Sequence, residues 1–487
     1  MSGLDFTPFL PELVFAGGLL VLLVLDLVVR GNRGIVAAAG GAVLLTLLFF
    51  VSLSGGTEVG AYLFGALVQD GVAQFFRLFF ILSTLVAIGV LTQTFARDGE
   101  PFLLMLASVL GMFILAGAND LVTLFVALEM VSIPSYVLAG YRRQDAKSAE
   151  AALKYVLFGA VSSGLMVYGL SLLYGLTGET GLPEIAAALR GGTLSGAAQM
   201  AGLVLILIGI GYKIAMVPMH FWCPDVYEGS PTAITAFFSV VPKAAGFAAL
   251  YRLMPVINTL TEFSGITALG LLTLASAVTM TFGNLGAIWQ DSLKRLLAYS
   301  SIAHAGYILM GFAVLAAVPE PELHQLAVQA ILIYLVVYLF MNLGAFLVVD
   351  WVERRLGSDS ISAFKGLGKA APLPALALAV FLFSLTGLPP LAGFIGKFFL
   401  FAAVVKGGLW ALAMVGIANS VVALFYYVRV IRDMFLHEPE PELATASANP
   451  HLKLGMMTAI LAVATVVPTL VLGVWWGGLA EWIASKI

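Results

Sequence analysis

Ile208-Gly-Ile-Gly-Tyr-Lys-Ile-Ala-Met-Val217 places a lysine inside an otherwise apolar run, five residues before Pro218. The run extends over about 199–218, close to the roughly 20 residues that span the hydrocarbon of a bilayer. The rest of the chain is like it. Of 487 residues, 61% are hydrophobic and 10% charged, and the mean hydropathy is +1.03. An ordinary globular domain is nearer half apolar and a quarter charged. Too little polar surface exists to cover a soluble protein of this size. That excludes a water-soluble enzyme, a disordered chain and a nucleic-acid binder. The net charge of −3 offers no basic patch to a nucleic acid. The period-two alternation of an outer-membrane barrel is absent. The composition predicts an all-α polytopic membrane protein.

Fourteen apolar stretches follow one another, at 9–29, 35–53, 74–95, 102–118, 120–140, 149–175, 199–218, 232–253, 264–288, 294–316, 325–350, 372–405, 408–431 and 454–483. Glycine, proline or charge marks several ends, as in Arg30-Gly-Asn-Arg-Gly34 and Glu438-Pro-Glu-Pro-Glu442. The stretch at 372–405 is long enough to contain a break. No loop is large enough for a separate module, so residues 1–487 form a single membrane domain. It divides into an amino-terminal three-helix segment (1–97), two five-helix blocks (102–253 and 264–431) and a last helix (454–487). Met1 to Pro11 carries no Lys or Arg, unlike a cleavable signal peptide, so the first span is expected to remain.

Basic residues orient the chain. Of 24 Lys and Arg, fifteen follow odd-numbered spans and four follow even-numbered ones. The positive-inside rule then places the odd loops in the cytoplasm and both termini outside. Five basic residues remain within spans: Arg77, Lys154, Lys213, Lys243 and Lys397. Arg77 lies close enough to a span end to snorkel, and Lys154 sits about five residues into its span. The other three are deep, and a lysine at the bilayer centre costs roughly 2.5–3.5 kcal/mol. One deep carboxylate is evident, Glu129 in Phe125-Val-Ala-Leu-Glu-Met-Val-Ser-Ile-Pro134, roughly 13 Å along a helix from Asp120. Three lysines cannot all pair with one glutamate. Burial disfavours the charged form of an amine, so this set is suited to holding and releasing protons.

Histidines and prolines extend the pattern. His220 follows Lys213 by seven residues, and His304 lies at mid-depth in Tyr299-Ser-Ser-Ile-Ala-His-Ala-Gly306. Histidine titrates near neutral pH and relays protons. His324, His437 and His451 fall in loops. Pro218 follows Lys213, Pro389 and Pro390 precede Lys397, and Pro242 precedes Lys243. A proline removes a backbone hydrogen bond, which lipid tolerates only where the backbone is buried in protein or lines a wet cavity. Spans 7 and 12 are therefore expected to be broken. They are the fourth members of spans 4–8 and 9–13. Five spans reverse direction, so the second block is inverted relative to the first, which is the transporter pattern.

Other signals carry no chemistry. Gly209-Ile-Gly211 lacks the third glycine of a dinucleotide fingerprint. His437-Glu438 has no second histidine for zinc, and no phosphate loop occurs. The single cysteine, Cys223, cannot form an intramolecular disulfide or hold an iron–sulfur cluster.

Lys213 to Pro231, KIAMVPMHFWCPDVYEGSP, resembles the antiporter-like proton-translocating membrane subunits of NADH–quinone oxidoreductase, respiratory complex I. Glu129 ahead of Pro134, AYSSIAHAGY at 298–307 and GLPPLAGFIGKF at 387–398 match the same family. The resemblance covers essentially the whole chain. Asp225-Val-Tyr-Glu-Gly229 is similar to the subunit N branch, and so are Lys397, the length and the three leading spans. Cys223 departs from the family, which often has threonine there.

The resemblance implies a role for each buried group. Glu129 would pair with Lys213, and opening of that pair would release a proton. Lys243 would be the central relay, and Lys397 would pass the proton outward. Lys154, His220 and His304 would be accessory members. No cofactor or metal is expected in this chain; NADH, FMN, iron–sulfur clusters and quinone would belong to other parts of the complex. Its partners would be other membrane-arm subunits, including a paralogous antiporter-like one, in a bacterial plasma membrane. The alternative is a subunit of an Mrp-type cation/proton antiporter, which shares the fold and the buried lysines.

Overall fold

A computed structural model describes residues 7–54, 60–191, 195–260, 262–317, 320–440, 443 and 455–487. Residues 1–6, Pro441, Glu442, His451, Lys453 and Leu454 lie outside the described residues, and so do the expectations attached to them.

Each apolar stretch is helical, because in hydrocarbon a backbone must satisfy its own hydrogen bonds. Helices α1 (Leu10–Val28) and α2 (Arg33–Ser54) come first. A hairpin of β1 (Gly60–Tyr62) and β2 (Leu67–Gln69) leads to α3 (Gly71–Thr92), pairing Gly60 with Gln69 and Tyr62 with Leu67. The first block holds α4 (Glu100–Ala116), α5 (Leu121–Ala139), α6 (Ala146–Thr177), a short α7 (Leu182–Arg190), α8 (Gly196–Ile214), α9 (Trp222–Gly229) and α10 (Thr232–Ile257). The second holds α11 (Ala268–Ile288), α12 (Leu293–Ala317), α13 (Pro321–Leu356), α14 (Leu367–Ala370), α15 (Pro372–Thr386), α16 (Ala392–Lys406) and α17 (Trp410–Leu436). Helices α18 (Met456–Val474) and α19 (Gly477–Ala484) finish the chain.

Among the described residues, twelve helices are long and apolar enough to cross a membrane. The shorter α4 and the pair α15–α16 complete the fourteen expected crossings. The polytopic all-α fold is as expected, and the stretches at 199–218 and 372–405 are interrupted where prolines mark them. The last stretch is also two helices rather than one. Neither the hairpin nor α7 was legible in the sequence.

Local chemistry fixes the helix starts. Asp70, Asp120 and Asp145 cap α3, α5 and α6, accepting from the amides of Ala73, Val122 and Lys147 at 2.7, 2.8 and 2.9 Å. Proline occupies the first positions of α4, α13 and α15. Pro242 does not interrupt α10. It takes the donor from the Phe238 carbonyl four residues earlier, and the Tyr227 hydroxyl of α9 supplies a replacement at 3.2 Å.

Two compact units form. One comprises Met1–Trp222, Val241–Leu272 and Ser485–Ile487; the other comprises Cys223–Val240 and Thr273–Ala484. In the first, α4 packs on α1, α2, α3 and α5, and α6 packs on α5, α7 and α8. In the second, α13 is central, against α12, α15, α16, α18 and α19.

Three charge expectations need correction. Arg77 does not snorkel: it is 2% exposed and pairs with Glu12 at 2.6 Å. Glu129 is not the only carboxylate set among apolar side chains, since Glu12 and Asp350 are buried in the protein at 2% exposed each. Both sit near helix ends in sequence, where a charge reads as peripheral, but neighbouring elements cover them. Lys294, counted with a loop, is 3% exposed and donates to the Ser230 carbonyl at 3.0 Å, with Glu353 at 3.5 Å. His324 lies in the first turn of α13 rather than in a loop.

Candidate functional site

In the first unit, α8 stops at Ile214 because Ala215 turns left-handed, at φ +59. The Met216 amide closes the end on the Gly211 carbonyl at 2.7 Å. Lys213 therefore stands in the last turn, where the negative end of the helix dipole favours a cation. It is 3% exposed, and its Nζ donates to Ser132 Oγ at 3.1 Å. Glu129, one turn before Ser132 on α5, is half-buried and accepts from Ser163 Oγ at 2.5 Å. Among the described residues, no carboxylate lies within 4.0 Å of Lys213. Glu129 acts on its ammonium through space, without contact. Each member of the expected pair is thus held by a separate serine.

Behind Ser132 the polar contacts continue. Tyr136 is hydrogen-bonded to Ser132 and to Tyr212. The Tyr212 hydroxyl donates to the Tyr155 carbonyl at 2.7 Å, and Trp222 Nε1 donates to the Tyr212 carbonyl at 3.0 Å. Trp222 also stacks on Tyr155 at 4.5 Å. The break is therefore walled by aromatic rings, and the Tyr212 carbonyl beside it accepts from Trp222.

Lys243, buried on α10, belongs to the same unit. One turn after it, Gly246 lets α10 lie directly on the Lys213 stem. A Cβ there would stand 2.6 Å from Ile214 Cγ2 and 3.3 Å from Lys213 Cβ and Cγ. His220, 5% exposed, occupies the segment between α8 and α9 and bonds to the Pro218 backbone. Lys154 is only half-buried and pairs with Glu150 at 2.7 Å.

In the second unit, α15 ends at Thr386 with Gly387 at φ +91, and the helix resumes at Ala392. Lys397 Nζ donates to the Thr386 carbonyl at 2.7 Å and to Ser420 Oγ at 3.2 Å. No carboxylate lies within 4.0 Å of it among the described residues. His304 is buried, with Nδ1 2.6 Å from the Tyr334 hydroxyl and Nε2 3.5 Å from the Tyr427 hydroxyl. Tyr427 bonds to Ser300 and Tyr426, and Tyr426 donates to Asn284 Oδ1 at 3.0 Å. Asn284 and Ser420 both bond to Tyr307, which returns the path to Lys397. His304 and Lys397 are thus joined by a run of hydroxyls and one amide. The sequence pointed to the lysines and histidines but not to Ser132, Ser163, Tyr136, Tyr212, Tyr307 or Ser420. Serine and tyrosine are ordinary in apolar helices, and only packing brings them together.

Two further charge clusters brace these elements. In the first unit, Arg252 grips Asp70 through both carboxylate oxygens, at 2.6 and 2.8 Å. Burial alone would raise the Asp70 carboxyl, but the Arg252 hydrogen bonds and charge hold it below its usual range. Arg77 bonds to Glu12, Gln69 and Tyr62, and burial pushes the Tyr62 phenol up to about 12. In the second unit, Asp225 and Glu228, three apart on α9, clamp Arg295 at 2.6 and 2.9 Å.

Comparison with known proteins gives a consistent result. A family model described as NADH:quinone oxidoreductase/Mrp antiporter, transmembrane, matches residues 118–423. A protein of Anaeromyxobacter sp. (strain Fw109-5) named NADH-quinone oxidoreductase subunit N is 44% identical, over 98% of this chain and 96% of its own. A chain in the structure of respiratory complex I from Thermus thermophilus is 33% identical, covers 98% of this chain and 100% of that one, and superposes with a TM-score of 0.82. A chain of the Mrp complex from Dietzia sp. DQ12-45-1b superposes equally well, at 0.82 over 98% and 96% of the two chains, but at 23% identity that likeness is one of fold.

Proposed function

Since this chain belongs to the family of NADH-quinone oxidoreductase subunit N, we propose that it translocates protons across the membrane, driven by NADH oxidation and quinone reduction elsewhere in an assembled complex. One observation carries the reading. Lys213 and Lys397 each sit buried at a helix interruption, and neither has a carboxylate within 4.0 Å among the described residues. An amine so placed holds a proton with hydrogen bonds and releases it when they change.

In this reading the described arrangement is the open state of the Glu129–Lys213 pair. Ser163 keeps the carboxylate and Ser132 keeps the amine. Closing the pair favours the ammonium; opening it sends the proton towards Lys243 and Lys397. Lys154, His220 and His304 are accessory. The two blocks, 102–253 and 264–431, each supply one interrupted helix to the route. NADH, FMN, iron–sulfur clusters and quinone are handled by other subunits, and a paralogous antiporter-like subunit is among the neighbours. The membrane is the bacterial plasma membrane, with both termini on its outer side.

The test is NADH-driven proton uptake into inverted vesicles carrying Lys213→Ala or Glu129→Ala. Fewer protons per NADH are expected in both; unchanged stoichiometry in both would sink the assignment. The Mrp-type alternative is separated from it by the subunits that co-purify with this chain. NADH dehydrogenase subunits support the proposal, and antiporter subunits overturn it.

A further inference from the structure

Lys397 lacks a carboxylate, yet its ammonium is fully occupied. An ammonium has three N–H groups. Two are accepted by the Thr386 carbonyl at 2.7 Å and Ser420 Oγ at 3.2 Å. The remaining side faces the Tyr307 ring, whose centroid is 4.5 Å from Nζ, within range of a cation–π contact. Gly387 leaves room for this pose, since a Cβ there would stand 2.8 Å from Lys397 Cδ.

Tyr307 cannot easily turn away. Its hydroxyl lies 3.2 Å from Ser420 Oγ and also bonds to the Asn284 side chain. Asn284 is braced in turn. Its amide nitrogen donates to the Met280 carbonyl at 2.8 Å and to Asn419 Oδ1 at 3.1 Å, and its oxygen accepts from Tyr426 at 3.0 Å. Helices α11, α12 and α17 are thereby locked around one ring.

We propose that Tyr307 is the counter-group of Lys397: its ring face, in place of a carboxylate, holds the protonated amine, and Asn284 positions that ring. The assignment rests on the proton-translocation reading and deepens it. A ring face attracts a cation but offers no lone pair to take its proton. The ring face therefore favours the protonated form of Lys397 without competing for its proton. The titratable groups facing Lys397 are few. Tyr307 comes from α12, with His304 behind it. Tyr334 of α13 stands beside Gly396, 2.9 Å from where a Cβ would be. Tyr426 and Tyr427 come from α17, and α15 and α18 carry no titratable side chain.

The experiment measures protons pumped per NADH against pH in inverted vesicles, for the wild type, Tyr307→Phe, Tyr307→Leu, Asn284→Ala and Lys397→Ala. Subunit content of the purified complex verifies assembly. Tyr307→Leu removes the ring, and the alkaline limb of pumping is expected to fall by about one pH unit. Tyr307→Phe keeps the ring but loses its brace, so amplitude falls while the limb stays in place. Asn284→Ala, which keeps the ring and loses part of the same brace, should likewise lower amplitude, by less than Tyr307→Phe, and leave the limb in place. A Tyr307→Leu profile superimposing on the wild type overturns the proposal, and so does Tyr307→Phe shifting as far as Tyr307→Leu. If Tyr307→Leu does not assemble, Tyr307→Trp replaces it: a limb held in place supports the ring face, and a lowered limb refutes it. Wild-type pumping by Lys397→Ala would overturn the translocation reading instead.

Discussion

Ser132→Ala is the sharpest perturbation of the first lysine site. Among the described residues, the 3.1 Å bond to Ser132 is the one side-chain hydrogen bond of Lys213, and the lysine is 3% exposed. A hydrogen bond to a charged group contributes about 1.5–3 kcal/mol. Moving one charge against 100 mV costs about 2.3 kcal/mol. The serine bond is therefore comparable in size to moving one charge against 100 mV. Without it, the remaining attraction on the ammonium is that of Glu129, so the pair is expected to stay closed. In NADH-pulsed inverted vesicles, Ser132→Ala should lower protons per NADH while the complex still assembles. Ser132→Thr, which keeps the hydroxyl, should restore most of the loss. Glu129→Gln in the alanine background should not add to it, because the two changes act on one equilibrium. Full pumping by Ser132→Ala would refute the idea that this serine holds the pair open. An additive loss in the double variant would show that Glu129 acts elsewhere.

Three more outcomes follow from the packing. Gly246→Ala drives a methyl to 2.6 Å from Ile214; such overpacking costs about 1–3 kcal/mol, and both the thermal midpoint of the complex and proton yield should fall, with Gly246→Ser at least as damaging. Arg77→Met leaves Glu12 buried without its cation and should destabilise by about 3–5 kcal/mol, whereas adding Glu12→Gln should recover much of that; denaturation midpoints of the purified complex compare the two. Asp70 is held below its usual value of 3.8 by Arg252, so its contribution is fully present above that value and lost as pH falls through the lower folded one. The stability gap between wild type and Asp70→Asn should be constant near neutrality and close only in strong acid. A gap that closes well above pH 3.8 would contradict the pairing.

Much of the architecture was legible in the sequence for a simple reason. A bilayer forces every apolar run of sufficient length into a helix, so the fourteen crossings follow from hydropathy. The two interruptions follow from prolines beside buried lysines. What escaped was set by contacts across the chain. Arg77 looked peripheral because Glu12, 65 positions earlier, could not be seen to cover it. Lys294 looked like a loop residue until Ser230 and Glu353 closed on it. The serines and tyrosines around Lys213, His304 and Lys397 carry no periodicity that separates them from lipid-facing neighbours. Pro242 leaves α10 unbroken, and the carbonyl it frees accepts from Tyr227 instead, a contact that sequence alone does not show.

The two lysine sites share a backbone device but differ in how attraction is applied, and the difference has a consequence. Glu129 reaches Lys213 only through space and is tethered by a single serine, so a side-chain rotation can strengthen or weaken that attraction. Tyr307 is fixed by Ser420 and Asn284, so the hold on Lys397 changes little unless a helix moves. On the proposed reading Lys213 is the variable site and Lys397 the constant one: closing Glu129 would strengthen the hold of Lys213 on a proton, and opening it would weaken that hold. A change of two units in the proton affinity of any group is about 2.7 kcal/mol, close to the roughly 2.3 kcal/mol of moving one charge against 100 mV. The proton then leaves Lys213, on the proposed reading, only if the hold at Lys397 lies between the two limits at Lys213, and net direction further requires that the return path be shut while Glu129 is closed. Weakening that hold with Tyr307→Leu should slow pumping under a large opposing potential more than under none, because the margin between the two energies is small.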